Sequence, residues 1–357
     1  MPAVGYLLDR SWARLALPAM LAGLWLCASA LAASPGTPQL MTYIKGLGSA
    51  NPWVWVSPVT GGSPIGLGPA SSALISPDGS EVAAIAIQKG QAAKASMLWL
   101  YPTGGGTPSG LEKSLQFMQL LAWSPDSKLV LVAVGASPAQ LQVIDVGTGQ
   151  NHTIATGVID GASFAPGTSD QVAYARAAPN TTAVNIYITS ATGTGTRQLT
   201  HDGRSEYPLW GLRGIVYSHE TPRPKNPYPK LQLWLIQPTG SGARQLTHIP
   251  VATPLEGLTP ISMSADGTHL LANFVGPQDH TEAYTVDLTG PKAPAPRDLT
   301  GQGNGNIGDA ISNDGKTILL TRGMADNPAP LSIQTIPWSG GKPTTIVTLG
   351  AYASWNR

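Results

Sequence analysis

Two copies of the pentapeptide Arg-Gln-Leu-Thr-His occur at 197–201 and 244–248, so His201 and His248 end matched segments. Imidazoles delivered at equivalent points can be two ligands of one metal ion, or two equal points on a structural repeat. His219 is followed by Glu220, and His280 stands two residues before Glu282. Around them lie Asp202, Arg204 and Glu206, the stretch 218–230 with Arg223, Lys225 and Tyr228, and Asp279 beside His280. Imidazole and carboxylate mixed with a few cations suit a divalent metal, an acidic sugar or a charged segment of a partner protein. The twelve residues His201, Asp202, Arg204, Glu206, His219, Glu220, Arg223, Lys225, Tyr228, Asp279, His280 and Glu282 are therefore the candidate binding set.

Other chemistries have less support. Gly161 to Ala165, GASFA, approaches the G-x-S-x-G elbow of serine hydrolases but lacks its last glycine, which argues against Ser163 as a nucleophile. No phosphate-binding loop, H-E-x-x-H or cysteine-based zinc pattern occurs. Gly104 to Gly106 reads as a hairpin turn.

The elements that must position these residues are strands. Charged residues make up only 11% of the chain, and 41 Gly and 32 Pro are dispersed throughout it, which implies many turns and few surface helices. Four segments share one plan: LISPDGSEVAAIAI from Leu74, AWSPDSKLVLVAV from Ala122, SMSADGTHLLANF from Ser262 and AISNDGKTILLTR from Ala310. Each reads as a hairpin around a type I turn followed by a left-handed residue. Weaker copies start at Ser163 and Pro208. A second hairpin follows each, with an apolar third strand carrying Trp99, Tyr187, Trp234 or Tyr284 and a short fourth strand such as RQLT. Four strands repeated at a step of roughly 41 to 53 residues are the signature of propeller blades.

Six units run from about Leu74 to Val347. The remainder from Met41 to Leu67 resembles strands two, three and four of a unit, and Tyr352 to Arg357 resembles its missing first strand, with Ala353 and Trp355 echoing Ala122 and Trp123. The expected fold is an all-β, seven-bladed β-propeller closed by N- and C-terminal strands in one shared blade, with a six-bladed ring as the alternative. Residues 40–357 are then a single domain preceded by a short linker, 34–39. RDLT at 297–300 is a third copy of the strand ending and is followed by Gly301, so the strand does not require His. His201 and His248 leave their blades near the outer rim, where neighbours diverge, which disfavours a metal shared by that pair alone.

Residues 1–33 read as a secretory signal: Arg10 and Arg14 precede an apolar run, which ends in small residues. The one cysteine, Cys27, lies inside this segment, and Leu26 before it is larger than a lipidation signal favours. Removing Asp9, Arg10 and Arg14 leaves equal numbers of acidic and basic side chains, so nucleic acid is not an expected partner.

The recurring S-P-D-G hairpin, the aromatic third strand before T-G-G and the R-Q-L-T ending resemble the propeller repeats of the TolB-like family over about residues 40–357. The N-terminal α/β domain of TolB itself has no counterpart here. The resemblance implies a periplasmic or secreted, monomeric, noncatalytic scaffold for an envelope protein or glycan, with no cofactor. Membrane attachment is expected only through an uncleaved signal or a lipidated Cys27. Similarity to oligogalacturonate lyases, which share this propeller type, gives the alternative of a metal-assisted polysaccharide lyase. In that case a divalent ion would be held by His219, His248 and His280, with Arg223 neutralising a substrate carboxylate.

Overall fold

A computed structural model describes residues 39–49, 51–87, 96–114, 117–135, 138–177, 181, 183–223, 226–249, 257–275, 281–290, 295–300, 305–323 and 330–356. The proposed signal segment and Cys27 lie outside these residues. Among the described residues the regular elements are β-strands, arranged in five sheets.

The strands run as antiparallel meanders, and the first contains both ends of the described chain. β1 (Leu40–Lys45), β2 (Trp53–Pro58) and β3 (Ile65–Pro69) are joined by the last strand, β27 (Gly350–Trp355), in the order β27-β1-β2-β3. The reading of 352–357 as the first strand of the N-terminal unit agrees with this order. β4 (Ser72–Ile75), β5 (Glu81–Ile87), β6 (Ser96–Pro102) and β7 (Ser109–Ser114) form the next sheet. A seven-stranded sheet follows: β8 (Met118–Trp123), β9 (Leu129–Val134), β10 (Ala139–Asp145), β11 (Asn151–Phe164), β12 (Gln171–Ala177), β13 (Val184–Ser190) and β14 (Arg197–Gln198). It is two meanders that share β11, whose first half pairs with β10 and whose second half pairs with β12.

The eight-stranded sheet comprises β15 (Ser205–Gly211), β16 (Gly214–Arg223), β17 (Asn226–Ile236), β18 (Arg244–Gln245), β19 (Gly257–Met263), β20 (His269–Val275), β21 (Thr281–Asp287) and β22 (Arg297–Asp298). Its two meanders meet at one parallel bridge, Leu231 with Gly257. β23 (Asn306–Ile311), β24 (Thr317–Arg322), β25 (Ser332–Pro337) and β26 (Thr344–Thr348) complete the fold.

The repeated turn has a repeated chemistry. Ser76, Ser124, Ser264 and Ser312 each donate a hydroxyl hydrogen bond to the Asp two residues on, at 2.6, 2.7, 2.6 and 2.6 Å. Each serine oxygen also accepts the backbone N–H five residues on, and each Asp accepts the N–H two residues on. Three of these turns place Gly at the left-handed position, but the second has Ser127 there at φ 61°. A side chain in that region costs roughly 1–2 kcal/mol. Here the Ser127 hydroxyl accepts the Asp78 N–H of the preceding meander at 3.1 Å, an inter-meander tie that glycine cannot make.

The R-Q-L-T ending is equally explicit. The Arg197 guanidinium donates to the carbonyls of Pro238 and Thr239 at 2.5 and 2.8 Å, clamping the outer turn of the next meander. Arg297 does the same to Trp338 and Ser339. The Gln amide caps a carbonyl of its own segment, Gln198 on Thr200 and Gln245 on Thr247. Leu199 and Leu246 are buried, and the hydroxyls of Thr200 and Thr247 accept the N–H of Ile186 and Leu233 in the third strand. The third-strand aromatics are in matched register: Tyr187, Trp234 and Tyr284 face Gln198, Gln245 and Asp298.

Apolar clusters fill each junction between consecutive meanders. One of them joins the last to the first, with Leu319, Ile333 and Val347 packed against Met41, Tyr43, Ala353 and Trp355. The alternation of strand side chains between two faces supplies both walls of every junction, so second strands carry apolar residues at consecutive positions, throughout LVLVAV of β9 and at Ile318 to Leu320 of β24.

One sequence expectation needs correction. The proline-rich segment from Thr221 to Pro229, whose composition suggests a loop, is paired on both sides of residues 224 and 225: β16 and β17 extend into it, with Thr221 opposite Lys230 and Arg223 opposite Asn226. Proline holds its own φ and pushes the residue before it into the extended region, so alternating prolines are compatible with extended strands here.

Candidate functional site

The connection from β14 to β15 and the end of β16 bring part of the predicted set together. Asp202 lies in that connection, where Oδ1 accepts hydrogen bonds from the Arg204 N–H and the Ser205 hydroxyl, both at 3.0 Å. This local turn aims Oδ2 at Nε2 of His219, 2.9 Å away. Burial works to raise the Asp202 carboxyl, but the hydrogen bonds from Arg204 and His219 outweigh it and hold the group below its ordinary value. The other face of the imidazole packs on Trp234, ring centres 4.7 Å apart, with the Tyr217 ring at 6.4 Å.

This geometry decides what His219 can do. Nε2 is engaged by Asp202, and Nδ1 is enclosed by protein without a hydrogen-bond partner. An imidazole offers only these two nitrogens, so in this arrangement neither is presented to an external ion or substrate. Exposed His248 lies in the connection after β18, and His280 is outside the described residues. Among the described residues, no group of three His, Cys, Asp or Glu is placed to hold a metal.

The other predicted residues divide. Half-buried Glu206 and Glu220 flank the Asp202–His219 pair on β15 and β16, and the Glu220 N–H donates to the Arg204 carbonyl at 2.9 Å. His201 and Arg204 are exposed beside them. Glu282 departs from expectation: it is buried in β21, with its carboxylate against the Tyr284 hydroxyl, because the strand's alternation turns it inward. It is not part of an open polar face. Lys225 and Asp279 fall outside the described residues, as do the side chains of Arg223 and Tyr228.

Two residues that sequence reasoning missed extend the cluster. Burial, then the charges of Glu220 and Asp160, push the Glu206 carboxyl up to about 7. Asp160 is itself raised by burial. Tyr207, next to Glu206, is exposed although its φ is 52°, a left-handed conformation unusual for a bulky residue. Gly161 makes room for it: a Cβ there would lie 3.1 Å from the Tyr207 Cα. Asp160 and Tyr207 occupy bulges in the first strands of successive meanders. The same construction recurs at the closing junction, where Asp309 sits in the β23 bulge and Tyr352, again at φ 52°, in β27. The available signals were Asp-Gly at 160–161 and Gly-Asp at 308–309, each interrupting an apolar run.

Ser163 is accounted for structurally. Its hydroxyl donates to the Pro208 carbonyl at 3.2 Å and accepts the Trp210 N–H at 2.9 Å, linking β11 to β15. Ser262 and Ser354 accept the N–H of Ile311 and Ile75 at comparable inter-meander positions. Replacing Ser163 by Ala leaves the buried Trp210 N–H unpaired and is expected to destabilise the fold by about 1–3 kcal/mol, read as a lower urea midpoint at unchanged slope. An unchanged midpoint would refute this linking role.

No family model matches the chain, and no curated protein matches it by sequence. Similar solved structures exist at low identity. The β-propeller domain of the trilobed protease from Pyrococcus furiosus, described as having an open velcro topology, has a TM-score of 0.62 at 11% identity, covering 88% of this chain and 92% of that one. TolB from Acinetobacter baumannii has a TM-score of 0.51 at 14% identity, covering 90% and 83%. An oligogalacturonate lyase in complex with manganese has a TM-score of 0.54 at 14% identity, covering 87% and 85%. At these identities the likeness is one of fold: this is an all-β chain of the β-propeller type.

Proposed function

We propose that the chain is a seven-bladed TolB-like propeller, exported by residues 1–33 and closed through β27, that acts as a noncatalytic scaffold for a protein or glycan of the cell envelope. Counting the shared β11 once in each of its meanders, and the eight-stranded sheet as two, supports seven blades. An apolar cluster at each junction, including the one between first and last, supports a closed ring. The observation that carries the scaffold reading is the commitment of the reactive side chains. Ser163 ties two strands together, and both nitrogens of His219 are enclosed or engaged. Around them, Arg204, Glu206, Tyr207 and Glu220 remain as a mixed polar and aromatic patch suited to recognition. The lyase reading needs His219 as a metal ligand, and with Nε2 bonded to Asp202 the enclosure of Nδ1 opposes it.

The test is retention of an envelope protein or a glycan from an array by the purified chain, with Arg204→Glu/Glu220→Arg as the comparison. The wild type is expected to hold a specific partner at least about tenfold more tightly than the double variant. Retention of nothing, or equal retention by both, would overturn the reading.

A further inference from the structure

The second strands β12 and β16 share a three-residue pattern, a tyrosine and then a basic side chain two residues on: Tyr174 and Arg176 in one, Tyr217 and His219 in the other. Each tyrosine is fully buried and stands opposite a third-strand aromatic, Tyr187 or Trp234. The basic group stacks on that aromatic ring. The Arg176 guanidinium lies 4.7 Å from the centre of Tyr187, and the His219 ring lies 4.7 Å from that of Trp234. The surroundings match as well. Arg176 and His219 stand opposite the buried amides Asn185 and Gln232, whose oxygens accept hydrogen bonds from the hydroxyls of Thr200 and Thr247 in the two R-Q-L-T segments.

The two positions differ in one partner. Ser205 is the cross-strand partner of His219, and Asp202, three residues before it, delivers a carboxylate to His219 at 2.9 Å. Ile159 is the cross-strand partner of Arg176, and three residues before it stands exposed Thr156. β11 runs straight through this point, so Thr156 is held in the ladder opposite Gln140 and no acidic turn forms. Among the described residues Arg176 makes no ion pair, and its enclosed Nε has no hydrogen-bond partner. The Tyr187 ring orients the guanidinium but carries no net charge to balance it. Gly157 gives the arginine its room, since a Cβ there would lie 2.8 Å from the Arg176 Cγ.

We propose that Arg176 receives a carboxylate in trans, from an aspartate on an acidic turn of a partner protein, as His219 receives Asp202 in cis. The occupant follows from the molecule's own solution at the matching position: an Asp whose turn holds one oxygen and aims the other. With Nε enclosed and the side chain half-buried on a ring, the two Nη groups are left to meet a carboxylate as a preoriented fork. The site is separate from the Arg204 and Glu220 patch and does not depend on the scaffold reading.

The test is NMR of the arginine Nε–H groups of the full chain at constant ionic strength. It is titrated with acetyl-Gly-Asp-Gly-Ser-amide, the same peptide with Asn for Asp, and glucuronate. Arg176→Lys identifies the Arg176 signal by removing it. The Asp peptide is expected to shift that signal saturably and to bind at least about tenfold more tightly than the Asn peptide or glucuronate. Thr156→Asp supplies the acid in cis; it should shift the signal without any peptide and abolish the response to the Asp peptide, while Thr156→Asn leaves both as in the wild type. An Arg176 signal that ignores the Asp peptide, an equal response to the Asn peptide, or a response that survives Thr156→Asp would each overturn the proposal. Tighter binding of glucuronate would overturn the assignment to a protein partner. Should Thr156→Asp fail to fold, the comparison of Asp and Asn peptides on the wild type decides.

Discussion

Deletion of residues 350–357 is expected to abolish cooperative thermal unfolding, leaving a chain that is protease-sensitive at 25 °C. β27 supplies the first strand of the N-terminal meander and buries Ala351, Ala353 and Trp355. Removing a buried Trp side chain alone costs about 3–5 kcal/mol, against a total stability of about 5–15 kcal/mol for a typical protein. The deletion also removes ties to three other strands. The Trp355 indole donates to the Ile311 carbonyl at 2.9 Å, the Ser354 hydroxyl accepts the Ile75 N–H, and the Leu40 N–H donates to Asn356. β1 would become an open edge beside an uncovered apolar cluster, a recognised route to aggregation. Near-ultraviolet circular dichroism and limited proteolysis read the outcome. A truncated chain that melts within a few degrees of the full one would mean that β27 does not carry closure.

Stability is expected to fall as pH rises from about 5 to 9, and Asp309→Asn should lessen that fall, leaving the part that Glu206 contributes below about pH 7. Burial pushes the Asp309 carboxyl up to about 8, although the Thr321 hydroxyl, 2.7 Å away, and the Ala353 N–H both favour the charged form. A carboxyl whose pKa is higher folded than unfolded binds more protons in the native state across the interval between the two values. Stability therefore declines with pH through that interval and stays reduced above the folded value. At full weight the shift would correspond to several kcal/mol. The residue is half-buried, so solvent screening brings the expected loss to about 2 kcal/mol. Urea titrations at pH 5 and pH 9 on both proteins measure it. Asn keeps an acceptor for Thr321, so an equally steep fall in Asp309→Asn would assign the pH dependence elsewhere.

The fold was legible because its signals are periodic and local. Ser-Pro-Asp-Gly specifies a turn through its own side chains, and the same Ser–Asp bond forms in all four copies, even where Asn313 replaces Pro or Ser127 replaces Gly. R-Q-L-T was legible as a strand ending, but its arginine acts on the next meander, a contact that spacing within one repeat cannot reveal. The candidate site was read less well. Asp202, His219, Glu206 and Glu220 converge as their connections suggest, whereas Glu282 turns inward because pleat parity, not loop proximity, sets its direction. Asp160 and Asp309 were missed because each sits in a bulge, where one extra residue resets the alternation on which the reading depends.

The strand shared within the seven-stranded sheet makes the seams of this molecule unequal. Where β11 runs unbroken from one meander into the next, its two halves pair with β10 and β12 and no slack loop lies between them, so separating the meanders means bending the strand itself. At the junction of β3 with β4 the chain passes through a short connection, and the two sheets meet through side chains. Under load or during partial opening, the ring is expected to yield at such side-chain seams first. Amides of β11 and β12 would then exchange with solvent more slowly than those of β3 and β4, giving the molecule a preferred line of fracture rather than uniform resistance.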